Sequence, residues 1–220
     1  MTKSIAPALL LILALAAPCA AQPAATPPLD VPAQSQAATR PAHWAEPIDP
    51  SRNLYRIAPG LYRSAQPQPE DAAWLQRLGI RTIISFRAHH RDEDTLHLPG
   101  VKLVRIPMDA WQIGDDEILR ALRAIAQAQQ DGPVLIHCQH GSDRTGAVTA
   151  MYRILQQGWT PQQALRELKS GGFGFNRIWA NIPHYIQHAD SAQLRKLLSA
   201  PQPALAPTAS ATPLALSGNR

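Results

Sequence analysis

The chain has 220 residues, enough for one ordinary globular domain, and its ends differ in composition from its middle, so the folded part is expected to be smaller than the whole. Only two cysteines occur, Cys19 and Cys138, a pattern that fits neither a zinc site nor a disulfide framework, so no metal and no cofactor is expected. The formal net charge of +5 comes mainly from scattered arginines without a basic stripe interleaved with aromatics, which favours anionic substrates over nucleic acid.

Residues 1–21 read as an export signal: Lys3 supplies a positive start, residues 5–17 are apolar, and Cys19-Ala20-Ala21 places small residues before Gln22. Removal after Ala21 leads to a periplasmic or secreted protein with no stable membrane span left. The apolar run falls short of the about 18 residues that span a bilayer, which argues against an uncleaved anchor. Lipid attachment at Cys19 is the other alternative, and Pro18 suits it poorly. Cleavage would leave Cys138 as the one cysteine, unable to form an internal disulfide.

Residues 22–50 are rich in Pro, Ala, Gln and Thr and lack apolar periodicity, the composition of a disordered linker, and residues 199–220 repeat it as a disordered tail. Residues 51–198 remain as the domain. Within it, residues 54–57 and 61–63 form two short strands around the turn residues Pro59-Gly60. Pro69, Glu70 and Asp71 open a helix with Ala72, Leu75 and Leu78 on one face, stopped by Gly79. A buried strand over 80–86, a polar, histidine-containing loop over 87–100 and a strand over 101–106 follow.

Asp115 and Asp116 start a helix with Ile118, Leu122 and Ile125 on one face, where their charges suit the positive end of its dipole. Residues 134–136 form a short apolar strand, and a glycine-punctuated loop then leads into a helix from about Arg144. Thr160, Pro161 and Gln163 make a capped helix start. A last helix after Gly171-Gly172 carries Ile178, Ile182, Tyr185 and Ile186. Strands interleaved with helices, then helices alone, predict a single α/β domain with a central, mostly parallel sheet flanked by helices.

The loop reads His137-Cys138-Gln139-His140-Gly141-Ser142-Asp143-Arg144-Thr145-Gly146. Between a strand and a helix, successive backbone N–H groups of Gln139, His140, Gly141, Ser142, Asp143 and Arg144 can converge on a phosphate, with the helix dipole adding positive potential. Gly141 and Ser142 let the backbone approach, and Gly146 allows close packing of the next turn. Arg144 adds a planar fork matched to two phosphate oxygens. This positive environment favours the thiolate of Cys138 as nucleophile. Thr145 is placed to hydrogen-bond the sulfur, and His137 to order the loop.

On this loop, and on Gly60-Leu61-Tyr62-Arg63-Ser64-Ala65-Gln66-Pro67, Leu78-Gly79-Ile80-Arg81-Thr82 and Gly171-Gly172-Phe173-Gly174-Phe175, residues 53–189 resemble the bacterial dual-specificity and tyrosine phosphatase-like family. The resemblance implies a cysteine-dependent phosphatase fold, a phosphocysteine intermediate and hydrolysis by water without metal. It leaves the general acid open between two residues. Asp109 lies twenty-nine residues before Cys138, similar to the mobile-loop aspartate of dual-specificity phosphatases, with Trp111 beside it to close over the substrate. Asp143, inside the loop, resembles the myotubularin arrangement and is narrowly preferred. Asp115 and Asp116 are read as helix-start charges only.

Several residues have two readings. Arg63, Ser64 and Gln66 either brace the catalytic loop or line the cleft, or they form a capped turn. His89, His90 and Arg91 add positive charge beside the substrate or are a solvated loop. His140 points outward, where a partly cationic ring favours polyanions such as inositol phosphates. Residues 172–175 and Trp179 form a cleft wall or pack between helices. The expected partner is a phosphorylated protein, on phosphotyrosine and phosphoserine or phosphothreonine, or alternatively a small phosphorylated molecule such as an inositol phosphate. Sulfur transfer and arsenate reduction fit less well, for want of a second redox cysteine, and a phosphate-binding adaptor without turnover is the remaining class.

Overall fold

A computed structural model describes residues 40–200. The expected export signal, residues 22–39 of the expected linker and residues 201–220 of the expected tail lie outside the described residues. The strands are β1 (Glu46–Asp49), β2 (Leu54–Ala58), β3 (Leu61–Ser64), β4 (Thr82–Ser85), β5 (Lys102–Arg105) and β6 (Val134–His137). The helices are α1 (Ala72–Arg77), α2 (Asp115–Ala128), α3 (Asp143–Gln157), α4 (Pro161–Ser170), α5 (Asn181–His188) and α6 (Ser191–Ser199).

The strands form one sheet in the order β1-β2-β3-β6-β4-β5. Pro59-Gly60 joins β2 and β3 as an antiparallel hairpin, with Gly60 at a φ of 70° that favours glycine. Strands β3, β6, β4 and β5 are mutually parallel, so the sheet is mixed, with a parallel part and an antiparallel edge. Strands β4 and β6 are buried along their whole length, as apolar runs covered on both faces should be.

Helices pack on both faces. On one, Ile118, Leu122 and Ile125 of α2 and Val148, Met151 and Ile154 of α3 meet Ile84 and Ile136. On the other, Trp74 and Leu75 of α1 meet Leu54, Ile83 and Leu135. Each such buried aliphatic side chain contributes about 1.5–3 kcal/mol. The start of α4 is a capping box: Gln163 N donates to Thr160 Oγ1 at 3.2 Å, and Thr160 N donates to Gln163 Oε1 at 2.8 Å.

Three expectations need correction. The folded unit begins earlier than residue 51: β1 pairs with β2 inside the stretch assigned to the linker, Ala45 is buried, and its N–H donates to Glu167 Oε1 at 2.6 Å. A four-residue edge strand containing Pro47 and facing solvent has no apolar alternation to reveal it. The last expected helix is delayed. Gly172 and Gly174, at φ of 78° and 74°, take the chain after α4 out of helical geometry, the helix begins only at Asn181, and Ile178 is exposed rather than packed. The helix expected to open at Pro69 begins at Ala72, since Pro69–Asp71 is a separate 3-10 turn; Leu75 is buried and Leu78 packs against the same cluster, with Trp74 as a further buried member, while Ala72 is half-buried.

Candidate active site

Strand β6 ends at His137 and α3 begins at Asp143, so the loop between them leaves the C-terminal edge of the parallel sheet and enters a helix N-terminus. Gly141 has a φ of 71°, and a Cβ there would overlap the Ser64 carbonyl oxygen and stand 2.8 Å from Ala65 N. The loop therefore closes against the end of β3. Gly146 does the same for helix packing, since a Cβ would lie 2.5 Å from Leu168 Cδ1 of α4.

The residues at the end of β3 brace this loop, the first of their two readings. Arg63 is 1% exposed, donates to the Gly141 carbonyl and lies 3.7 Å over the Phe173 ring. Burial pulls its guanidinium down to about 10, with Glu167, Cys138 and Tyr55 opposing that pull, so it stays cationic at neutral pH. The Gln66 backbone N–H donates to Gln139 O at 3.1 Å.

His137 is fully buried. Its Nδ1 donates to the Cys138 carbonyl at 3.0 Å, the only role a carbonyl leaves it, and its Nε2 stands 2.7 Å from Asp92 Oδ2. Asp92 is itself buried, and its Oδ1 accepts from Gln66 Nε2 at 3.0 Å. Gln66 Oε1 in turn accepts from Arg87 Nη1 at 3.3 Å. Burial alone would raise the Asp92 carboxyl, but the bond and charge of His137, with Gln66 and His90, outweigh it and hold the carboxyl below its ordinary range. Asp92 belongs to the site although the sequence alone does not reveal it. Its sequence signal, one acid in a polar loop, does not announce a partner forty-five positions away.

Cys138 is buried and is the free cysteine among the described residues. The Thr145 hydroxyl, expected on its sulfur, is buried without any hydrogen-bond partner. Arg144 Nε is likewise unpartnered, and Arg144 Nη1 reaches only the Phe86 carbonyl at 3.5 Å. Ser142 Oγ turns away from the loop's concave side and donates to Phe173 O at 2.7 Å.

A cavity of about 170 Å³ opens beside the loop, lined by Gln139 and Arg144 together with Asp109, Ala110 and Trp111 from the segment after β5. Arg87, Ala88 and His89 supply another side, and Trp179 a further wall. Trp111 is 62% exposed, and its ring centroid lies 6.5 Å from that of Trp179. Asn181 Nδ2 donates to Ala110 O at 2.8 Å and ties the Asp109 segment to α5.

Asp143 is not part of that lining. Its Oδ1 accepts from Asn176 N at 2.9 Å, so its carboxylate holds the irregular segment after α4. Asn53 Nδ2 reinforces the tie by donating to both His140 O and Phe173 O, at 2.8 and 2.9 Å. The structure thus gathers Asp109, Gln139 and Arg144 around one cavity and uses Ser142 and Asp143 as braces. His89 reaches the cavity, His90 lies 3.7 Å from Asp92, and Arg91 is exposed. Asp115 accepts from Tyr185 at 2.8 Å, away from the site. Among the described residues no cluster of three or more His, Cys, Asp or Glu side chains is placed to hold a metal, and no helix is long and apolar enough to cross a membrane.

Residues 51–181 match the family described as DSP-PTPase phosphatase fused to NAD+ kinase. The dual specificity protein phosphatase TpbA of Pseudomonas aeruginosa is 44% identical over 165 residues, 74% of this chain and 74% of that protein. A crystal structure of a cysteine-to-serine TpbA variant in complex with pTyr is similar at a TM-score of 0.68 and 42% identity, covering 73% of this chain and 98% of that one. The inositol diphosphatase DSP3 of Arabidopsis thaliana is 27% identical over 165 residues, 71% of this chain and 79% of that protein.

Proposed function

The chain belongs to the DSP-PTPase phosphatase family, and on that premise we propose how its own residues carry out cysteine-dependent hydrolysis of phosphate monoesters. The observation that carries the assignment is the meeting of Arg144, Gln139 and Asp109 around one cavity at the Cys138 loop. Cys138 Sγ attacks phosphorus while Arg144 and the loop N–H groups hold the equatorial oxygens at the start of α3, where the dipole favours added negative charge. The bond from phosphorus to the leaving oxygen breaks, and that oxygen takes a proton from Asp109. A water then gives its proton to Asp109 and attacks the phosphocysteine, releasing phosphate and restoring the thiolate.

Asp109 is assigned as the acid in preference to Asp143 because one oxygen of Asp143 is engaged by Asn176 N, whereas Asp109 lines the cavity with Arg144. This reverses the narrow preference drawn from the sequence. His137, through Asp92, holds the Cys138 carbonyl and so positions the loop.

Phosphotyrosine is the favoured substrate group, with phosphoserine and phosphothreonine beside it. Trp111 and Trp179, with ring centroids 6.5 Å apart and planes tilted by 37°, give the cavity an aromatic side against which a phenyl ring can pack. The likeness to TpbA, solved with pTyr, supports the same reading. Inositol phosphates are a second reading, supported by Arg87 and His89 beside Arg144 and by the likeness to an inositol diphosphatase.

The test is turnover of an aryl phosphate by the purified protein with a chelator present, repeated for Cys138→Ser. Turnover that requires added metal, or that survives the substitution, overturns the assignment. We further place the protein in the periplasm or outside the cell after removal of residues 1–21, on the basis of Lys3, the apolar run and the small residues before Gln22. Cell fractionation with N-terminal sequencing tests this, and a cytoplasmic protein that retains Met1 refutes it.

A further inference from the structure

A second cavity, of about 450 Å³, is lined by Lys169, Phe175, Arg177, Ala180 and Pro183. It brings together the end of α4, the start of α5 and the irregular segment between them. Two of its side chains are cations, none is an acid, and among the described residues neither Lys169 nor Arg177 has an ion-pair or hydrogen-bond partner. Other arginines nearby are spoken for: Arg153 by Glu167, and Arg63 by Gly141 and Phe173.

One stretch of chain, residues 175–180, contributes side chains to both this cavity and the catalytic one. Residues 176–179 form a tight turn in which Trp179 N donates to Asn176 O at 3.1 Å. Trp179 faces the catalytic cavity, while its neighbours Arg177 and Ala180 face the second. The segment leading into this turn is fixed to the catalytic loop through Ser142 and Asp143. An extended peptide advances about 3.3–3.4 Å per residue, so side chains two or three positions from a phosphorylated residue lie roughly 7–10 Å along the surface from it.

We propose that the cavity lined by Lys169, Phe175 and Arg177 is a substrate-flank site that receives an acidic side chain of a phosphorylated peptide whose phosphoryl group sits on the Cys138 loop. The two unpaired cations supply the charge complement, and Phe175 and Pro183 cover the apolar stem of a glutamate. This rests on the phosphatase reading above and deepens it, because it favours protein substrates over small phosphorylated molecules.

The experiment measures kcat/KM on phosphotyrosine peptides that differ only in acidic or basic residues around the phosphotyrosine, beside a small aryl phosphate. The wild-type chain is compared with Lys169→Glu and Arg177→Glu. The expected result is a preference for an acidic flank of about tenfold, lost or inverted in each variant and weakened by salt, with small aryl phosphate turnover retained. Wild-type indifference to the flanks, or a preference that both variants keep, overturns the proposal while leaving the phosphatase reading intact. Loss in the variants of inositol phosphate turnover but not of the peptide preference assigns the cations to a small polyanion and also overturns it. Failure of the wild type on the aryl phosphate itself is failure of the underlying phosphatase reading.

Discussion

Asp92 Oδ2 lies 2.7 Å from His137 Nε2, and through that contact a buried carboxylate from the β4–β5 connection holds the residue that precedes the nucleophile. The other ring nitrogen of His137 holds the Cys138 carbonyl, so the pair fixes the start of the catalytic loop from below.

Replacing Asp92 with Ala is expected to cost about 3–5 kcal/mol at neutral pH, the usual effect of removing one partner from a buried pair. It should also lower kcat on the order of tenfold to a hundredfold by misplacing the loop. The folded-state carboxyl is held low, so its stabilisation is complete above the unfolded value of about 3.9 and fades as pH falls through the folded value. Denaturant unfolding at pH 7 and near pH 3 should therefore show the variant and wild type converging in acid. A constant gap across that range would refute the role given to this pair.

The general acid can be identified by leaving-group dependence. Asp109→Asn should reduce turnover of a poor leaving group by about 10²–10⁴ and spare an activated aryl phosphate. Asp143→Asn should affect both substrates alike, through the loosened Asn176 segment. Leaving-group dependence in Asp143→Asn alone would return the role to that residue.

Glu167 is 1% exposed and bonds Arg153 Nε and Nη2 at 2.9 and 2.8 Å while accepting from Ala45 N at 2.6 Å. Glu167→Ala should destabilise the fold by about 3–5 kcal/mol. Amide hydrogen exchange should rise first in residues 45–49, whose anchor it removes. Unchanged protection there would separate the ion pair from the packing of β1.

Two glycines with similar backbone angles make a controlled comparison. Gly141→Ala places a methyl group against the Ser64 backbone and should abolish turnover. Gly100→Ala, at a φ of 78° with nothing within 4 Å, should cost only about 1–2 kcal/mol and leave kcat intact. Activity assays with thermal melts on both variants check this.

The parts of the fold that were legible in the sequence are those encoded locally. The apolar stripe of α2, the Thr160-Pro161-Gln163 start of α4, the hairpin at Pro59-Gly60 and the passage from strand through Cys138 loop to helix each fall within one short window. What stayed hidden depends on partners far along the chain. Asp92 gains its meaning from His137, Asp143 from Asn176, and Ala45 from Glu167. In none of these does residue type or spacing name the other member. The Thr145 hydroxyl, expected on the sulfur, is buried without a partner instead.

Arg144 Nε and Thr145 Oγ1 are both buried and unpartnered in the first turn of α3, where the Cys138 loop ends. Both are free to donate to an oxyanion bound on the loop. Ligand affinity and global folding are then thermodynamically linked. A tetrahedral oxyanion such as phosphate or vanadate should raise the melting temperature, by an amount equivalent to about 2.7 kcal/mol at a hundred times its Kd. Arg144→Ala should lose that thermal shift while melting no earlier in the absence of the ion. In this sense the loop that does the chemistry also couples substrate binding to the stability of the whole fold.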